Sequence, residues 1–213
     1  MFREIEDIVE TLKNAKGRGK KCSVLIGAGC SVTAGIPTAQ GFVDIIKERH
    51  PRDYERADPK TYPNCMAQLS IDEQRSLIAE HVDKAKINWA HIALAQLMKA
   101  GYVDRVLTTN FDPLVMRACA LVGIYPATYD LAASQHFEPD KVPDQAIFHL
   151  HVQRTGFILL NNEKALKEHS EKLAPIFEDA GRGRIWLVAG YSGENDPVFA
   201  HLANVDCFGL SRF

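Results

Sequence analysis

A glycine-rich turn follows the first apolar run of the chain and has the composition of a phosphate-binding loop. Residues 24–26 lead into Gly27-Ala28-Gly29, and Ser31 follows. Glycine permits a tight turn and lets the backbone approach a phosphate closely. A short helix beginning near Ser31 would direct its N–H groups and the positive end of its dipole at a pyrophosphate. The turn is therefore a candidate dinucleotide site, and the alternative is a strand-to-helix turn that binds nothing.

Polar or small residues also follow three later apolar runs, where an open α/β sheet binds its ligands. They are Thr109-Asn110 with Asp112 after the first of these runs, His151 after the second, and Gly190-Tyr191-Ser192 after the last. An imidazole that titrates near neutral pH suits a general base. Simpler interpretations stay open: Asn110 can cap the next helix, His151 can be a buried core residue, and residues 190–192 can form a turn without a ligand.

Taken in order, these segments resemble the sirtuin (Sir2) family. The pattern GAGxSxxxGIP at 27–37 resembles the family's cofactor-binding opening, TTNFD at 108–112 its TQNxD segment, and GYS at 190–192 its GTS segment. The resemblance implies NAD as the substrate and residues 35–42 as a loop over it. It also implies contacts with NAD by Gly27, Ala28, Gly29, Ser31, Gly35, Ile36, Pro37, Phe42, Thr109, Gly190, Tyr191 and Ser192.

The resemblance further implies catalytic roles for three residues. Asn110 would hold the ribose and a water near the anomeric carbon, and Asp112 would orient the site through hydrogen bonds. His151 would act as a general base on a ribose hydroxyl, like the histidine of the family's His-Gly pair. Val152 stands where the family has that glycine, so a β-branched side chain replaces a residue that leaves room and turns freely.

Two segments, 35–42 and 152–184, bear on which molecule accepts the ribosyl group of NAD. In deacylases of this family a four-cysteine zinc module precedes the GTS segment, whereas residues 152–184 contain no cysteine, and GIPTAQGF at 35–42 replaces the family's GIPDFR loop. We therefore expect water as the acceptor. The chain would be an NAD+ glycohydrolase (an NAD+ nucleosidase) that releases nicotinamide and ADP-ribose, resembling the Sir2-like domains of bacterial anti-phage defence effectors. The alternatives are an NAD-dependent protein deacylase or ADP-ribosyltransferase, and a non-catalytic module that senses NAD or ADP-ribose.

Short apolar strands separated by helices must position these residues. Strands are predicted at 23–27, 105–109, 146–150 and 185–189, and helices at 88–99, 113–121 and 162–180. The strands are apolar on both faces, as buried parallel strands are. This alternation predicts an α/β fold, a Rossmann-like parallel sheet with helices on both faces and no zinc ribbon. Residues 50–87 are interpreted as a helical insertion with a helix at 72–82. An amphipathic helix ending near Gly17 is predicted from Phe2, Ile5, Ile8, Val9 and Leu12.

Length, charge and cysteine content narrow the class of protein. A chain of 213 residues predicts a single Sir2-like NAD-binding domain over 1–213, which we interpret as the N-terminal part of a longer protein. A net charge of −2 gives no basic footprint for nucleic acid, and no apolar run is long enough for a membrane span. Five cysteines without a CxxC pair argue against a disulfide framework and a metal site, and they favour the cytoplasm. Besides NAD, a homo-oligomer or a fused or associated regulatory domain is the expected partner.

Overall fold

A parallel sheet of five strands organises the chain. The computed structural model describes residues 4–131, 138, 141–150, 163–193 and 198–204. The strands are β1 (Cys22–Ile26), β2 (Val103–Thr108), β3 (Ala127–Asp130), β4 (Ala146–His149) and β5 (Ile185–Ala189), in the order β3-β4-β2-β1-β5. All neighbouring pairs are parallel. The carboxyl ends of the strands therefore meet at one edge of the sheet, where ligands bind in folds of this kind.

Helices connect the strands and cover both faces of the sheet. They are α1 (Ile5–Gly17), a 3-10 helix (Ala28–Ala34), α2 (Ala39–Arg49), α3 (Pro51–Arg56), α4 (Tyr62–Gln68), α5 (Ile71–Lys84), α6 (Trp89–Lys99), α7 (Leu114–Leu121), α8 (Glu163–Gly181) and α9 (Val198–Asn204). Among the described helices, none combines the length and the apolar character needed to cross a membrane.

Side chains along the central strands point alternately to the two faces of the sheet, and the sheet core therefore has two layers. Val24 and Val106 face α1, α6 and α7, and they pack in one cluster with Leu94 and Met98. Leu25 and Leu107 face the opposite way, toward α8 and α9. Each of these side chains is almost fully buried, and burial of an aliphatic side chain contributes about 1.5–3 kcal/mol. The two layers hold the strands rigidly, and with them the loops at the carboxyl edge.

A third apolar cluster lies between α2 and the helices α3, α4 and α5. Its centre is Phe42, with Ile46, Met66 and Ile78 around it. Leu114 belongs to the same cluster. Since Leu114 opens α7 just after the loop that follows β2, this helical layer is anchored to the carboxyl edge of the sheet.

The structure confirms the predicted fold class and shifts several boundaries. The predicted helix at 72–82 is α5 (Ile71–Lys84), and the polar segment before it also forms helices, α3 and α4, each with a proline in its first turn. Proline is favourable there because its missing N–H has no partner in a first turn. The strand β3 was not predicted, because its four residues are only partly buried and carry no apolar run.

At the amino end of the sheet, one buried and one partly buried ion pair tie β2 to α8 and to the residue before β5. Arg105 Nε donates to Asp179 Oδ2 at 2.7 Å, and Arg184 donates to both Asp104 oxygens at 2.9 and 3.0 Å. Arg105 also donates to the carbonyls of Pro143 and Asp144. Because two arginines balance two aspartates, the network carries no net charge.

Candidate functional site

A hydrogen-bonded cluster at the carboxyl edge joins the loop after β1 to the loop after β2. The Ser31 hydroxyl donates to Asp112 Oδ2 at 2.8 Å and accepts from Asn110 Nδ2 at 3.1 Å. All three side chains are buried. The structure thus brings Ser31, Asn110 and Asp112, three of the predicted site residues, into direct contact.

The side chain of Asn110 is held with its amide nitrogen turned toward the protein. Besides the Ser31 hydroxyl, Nδ2 donates to the carbonyl of Gly27 at 3.1 Å. The Asn110 backbone N–H donates to Thr108 Oγ1 at 3.0 Å. Since both amide hydrogens have acceptors, the carbonyl oxygen Oδ1 is the atom that remains to accept a hydrogen bond from a ligand or a water.

Asp112, and not Asn110, forms a side-chain hydrogen bond with the start of the helix that follows. Asp112 Oδ1 accepts the N–H of Leu114 at 3.0 Å, at the first residue of α7. The interpretation of Asn110 as a helix cap is therefore wrong, because its side chain points to Gly27 and Ser31 instead. One carboxylate fixes α7 with one oxygen and the Ser31 hydroxyl with the other.

A histidine that the sequence analysis did not select completes the cluster. His91 Nε2 lies 3.3 Å from Ser31 Oγ, and His91 Nδ1 lies 3.4 Å from the N–H of Asn88. Because the hydroxyl hydrogen goes to Asp112, Nε2 must carry the proton and Nδ1 must accept from Asn88. Burial lowers the pKa of His91, partly opposed by the charge of Asp112. The ring is therefore neutral and donates to Ser31.

The sequence signal for His91 is its place on a helix face. The buried residues of α6 are His91, Leu94, Ala95 and Met98, which recur at three- and four-residue intervals. A histidine on that apolar stripe needs polar partners, and Ser31 and Asn88 supply them. Asn88 accepts the N–H of His91 and so begins α6 as its cap.

A second buried histidine, His149, lies at the end of β4. Its Nδ1 is 3.2 Å from the Asn110 carbonyl, and burial lowers its pKa. It contacts the backbone of the predicted ribose-binding residue, although the sequence analysis selected only the histidine two residues further on. His151 and Val152 lie outside the described residues, so the role of His151 stays a prediction.

The glycine-rich turn packs closely against the segment after β5. Gly29 N donates to Gly190 O at 2.9 Å. A Cβ at Gly27 would lie 2.5 Å from Gly190 O, and one at Gly29 would lie 2.8 Å from Gly190 Cα. These two glycines are thus required by the contact with residues 190–191. The structure brings four of the predicted residues together, namely Gly27, Gly29, Gly190 and Tyr191, with Ala28 between the first two.

The predicted loop over the cofactor is shorter than expected. Gly35 ends the 3-10 helix with φ of 97°, a left-handed conformation that suits glycine. The helix α2 begins at Ala39, so only residues 35–38 lack helical structure. Ile36 and Phe42 are buried in the cluster of α2–α5, and Pro37 is half-buried. The predicted loop of 35–42 is therefore wrong from Ala39 onward.

A cleft of about 750 Å³ opens beside the turn, on the side of α6. Its lining residues are Gly29, Cys30, Thr33, Asn88, Trp89, Ala90 and Gly190. Neither Asn110 nor Asp112 is among these lining residues, so this cleft borders the glycine-rich turn and not the polar cluster. Thr109 and Ser192 lie at the same edge of the sheet, half-buried and exposed respectively. In the described part of the chain, no three His, Cys, Asp or Glu side chains are placed to hold a metal.

Solved structures share this architecture. A Sir2 homologue in complex with NAD superposes with a TM-score of 0.62, at 19% identity, over 99% of this chain and 82% of that one. A Sir2 homologue mutant in complex with ADP-ribose gives 0.58 at 18% identity, over 91% and 79%. The chain has the Sir2-like Rossmann fold. At these identities the likeness establishes the fold alone.

Sequence relatives of known activity match about half of the chain. An NAD-dependent protein deacylase of Archaeoglobus fulgidus is 30% identical over 115 residues, which are 54% of this chain and 43% of that protein. An NAD-dependent protein deacetylase of Bordetella pertussis is 31% identical over 107 residues, 50% and 37%. One of Haloarcula marismortui is 37% identical over 115 residues, 52% and 40%. These matches cover less than half the length of each relative. No protein-family model matches the chain.

Proposed function

We propose that this chain is a sirtuin-type enzyme that binds NAD at the carboxyl edge of its sheet and cleaves the nicotinamide–ribose bond. The observation that carries the proposal is the buried contact of Asn110 with Ser31 and Gly27, backed by Asp112. This cluster holds an amide oxygen and a carboxylate next to a turn of phosphate-binding composition. The Sir2-like fold, seen in complexes with NAD and ADP-ribose, supports NAD as the ligand.

The cluster suits the development of positive charge on a ribose ring. As the nicotinamide leaves, the ribose passes through an oxocarbenium-like state, which negative charge nearby stabilises. Asp112 supplies a carboxylate, and Asn110 Oδ1 accepts a hydrogen bond from a water or a ribose hydroxyl. Ser31 and His91 fix the two side chains in these orientations, so little reorganisation is needed at the moment of cleavage. His151 would take the proton from the acceptor or the ribose.

The relatives support an acyl-lysine acceptor better than water. The three named above are protein deacylases or deacetylases that depend on NAD. A deacylase uses the same nicotinamide–ribose cleavage and passes the ribosyl centre to the acyl oxygen of a peptide. The alternative of the sequence analysis, an NAD-dependent protein deacylase, is therefore the first activity to test.

Hydrolysis of NAD is the second candidate, and one observation favours it. Residues 152–184, where deacylases of this family carry a four-cysteine zinc module, contain no cysteine. Without that module and with the altered 35–42 segment, water is the acceptor that needs no further binding surface. An NAD+ glycohydrolase of the anti-phage type would follow.

The two activities are separated by one incubation. The purified chain is mixed with NAD, with and without an acetyl-lysine peptide, and nicotinamide, ADP-ribose and deacetylated peptide are quantified by chromatography and mass spectrometry. Cleavage that requires the peptide identifies a deacylase, and ADP-ribose formed without peptide identifies a glycohydrolase. Asn110→Ala should abolish either activity, whereas Asn14→Ala, which changes an exposed asparagine on α1, should leave it intact. Thermal stabilisation by NAD with no nicotinamide release would contradict cleavage and would support a sensing module.

A further inference from the structure

The helix α1 presents an apolar seam of which the rest of the described chain covers only the last residue, Leu12, in part. Ile5 and Val9 are 68% and 42% exposed, and Leu12 is half-buried. Ile5, Val9 and Leu12 follow one another at intervals of four and three residues, the spacing of the seam positions of a coiled coil. Ala15, on the adjacent side of the helix, is its one buried residue in the structure. The helix is therefore anchored along one side and exposes its apolar seam beside that anchor.

Charge changes sign along α1 and the segment that follows it. Residues 4–10 carry four acidic and no basic side chains, residues 13–17 carry two basic and no acidic ones, and three more basic residues follow the helix at 18–21. Glu6 and Lys13 are seven residues apart and lie on the same flank of the seam. Neither forms an ion pair with another residue in the described part of the chain.

We propose that α1 is a homodimer interface, in which the seam packs antiparallel against α1 of a second copy of this chain. A two-fold axis beside Val9 brings Glu6 of each copy opposite Lys13 of the other, so that two ion pairs form by symmetry. The acidic half of each helix then faces the basic half of its partner. A parallel pair would place like charges together and is disfavoured.

The edge strand β5 packs on the same apolar cluster as α1. β5 is the edge strand of the described sheet. Its residues Ile185 and Leu187 are partly buried and pack on the same cluster as Leu12. Leu12 and β5 thus pack against one apolar cluster of the sheet.

The test begins with the mass of the untagged full chain in solution. Sedimentation or light scattering is measured from about 2 to about 200 µM, a range that covers weak and standard interfaces. The mass should rise from 23.7 kDa toward twice that value, and added salt should weaken the dimer. A monomer at every concentration and low salt would overturn the proposal.

A matched pair of substitutions locates the interface. Ile5 and Ile71 are the first residues of α1 and α5, both after capping boxes, and they are 68% and 64% exposed. Ile5→Glu should raise the dissociation constant at least about tenfold, whereas Ile71→Glu should not change it. Equal effects of the two substitutions, or none from Ile5→Glu, would overturn the placement on α1. Circular dichroism confirms that each variant is folded.

Charge reversal tests the antiparallel orientation without changing the apolar seam. Glu6→Lys alone and Lys13→Glu alone each place like charges across the interface and should weaken the dimer about fivefold or more. The double variant, Glu6→Lys with Lys13→Glu, restores both opposite-charge contacts and should regain the wild-type dissociation constant. Additive weakening in the double variant would contradict the proposed pairing.

Discussion

The Ser31 hydroxyl lies 2.8 Å from the Asp112 carboxylate, and this bond joins the two loops that form the candidate site. Ser31 follows β1 and Asp112 follows β2, so the bond crosses between neighbouring strands of the sheet. The carboxylate also accepts the N–H of Leu114 at the start of α7. The hydroxyl also accepts hydrogen bonds from Asn110 Nδ2 and His91 Nε2. A change at either residue should therefore affect both stability and the orientation of Asn110.

Ser31→Ala should lower both quantities. The substitution leaves Asp112 Oδ2, one Asn110 amide hydrogen and the His91 Nε2 hydrogen buried without their partner. A buried polar group without a partner costs about 1–3 kcal/mol of the free energy of unfolding. Nicotinamide release should fall by about tenfold or more, because Asn110 is no longer held in one orientation. Urea denaturation and an NAD cleavage assay measure the two effects. Ser76→Ala, at an exposed position of α5, is the control. Wild-type stability in Ser31→Ala would show that the bond contributes nothing.

The neutral state of His91 predicts how stability depends on pH. Burial lowers the pKa of His91 below its ordinary value of 6.5, so the unfolded chain takes up this proton at a higher pH than the folded one. The contribution is fully present above about pH 6.5 and is lost as the pH falls toward the folded pKa. Burial lowers the pKa of His81, His149 and His201 in the same way.

The urea midpoint of the wild type should therefore fall between pH 7 and pH 5. His91→Gln keeps an N–H that can donate to Ser31 but cannot be protonated in this range. The pH profile of this variant should be flatter than that of the wild type, though not level, since the other three histidines remain. Parallel profiles for the two proteins would contradict the assignment of His91 as a neutral donor.

Patterns along the chain predicted the sheet and part of the site. Apolar runs gave the central strands, because parallel strands that are buried on both faces need no polar alternation. Asn110, Asp112 and Ser31 were selected because they follow apolar runs and because their segments resemble motifs of the sirtuin family. β3 was not predicted because an edge strand of three half-buried residues and one exposed residue has no comparable pattern.

Other features of the site depend on contacts between distant segments. His91 and Ser31 are 60 residues apart, and no local pattern indicates that they meet. Phe42 was selected as a cofactor contact by resemblance, yet its ring is buried against Tyr62, His81 and Phe111. Gly27 and Gly29 are required because residues 190–191, more than 150 positions away, leave no room for a side chain. This requirement holds whether or not the turn binds a phosphate.

Gly190→Ala tests the contact between the glycine-rich turn and residues 190–191. Gly183→Ala is the control, because Gly183 has a similar backbone conformation. Gly190 and Gly183 both have positive φ, 62° and 69°, so alanine at either position costs about 1–2 kcal/mol. A Cβ at Gly183 meets nothing within 4 Å, whereas one at Gly190 would lie 2.5 Å from Cys30 N and 2.9 Å from Cys30 Sγ. Gly190→Ala should therefore lower the free energy of unfolding by at least about 1–3 kcal/mol more than Gly183→Ala. Equal urea midpoints for the two variants would show that the turn and residues 190–191 can separate freely.

Asp179 and Arg105 form a buried ion pair at the opposite end of the sheet. Asp179 accepts from Arg105 at 2.7 Å, and the two side chains are 10% and 5% exposed. Asp179→Asn leaves Arg105 to share Asp104, 3.6 Å away, with Arg184. One positive charge of the network is then uncompensated, which costs about 3–5 kcal/mol where the charge is buried. The adjacent pair of Glu178 and Arg182 has the same chemistry, but its side chains are 70% and 60% exposed. Glu178→Gln should therefore change the free energy of unfolding by less than about 0.5 kcal/mol.

Because the pair of Asp179 and Arg105 lies at the amino end of the strands, the fraction of Asp179→Asn that stays folded should cleave NAD at the wild-type rate. Chemical denaturation measures the free energy of unfolding of the two variants. Similar losses in both would show that burial does not determine how much an ion pair contributes to stability.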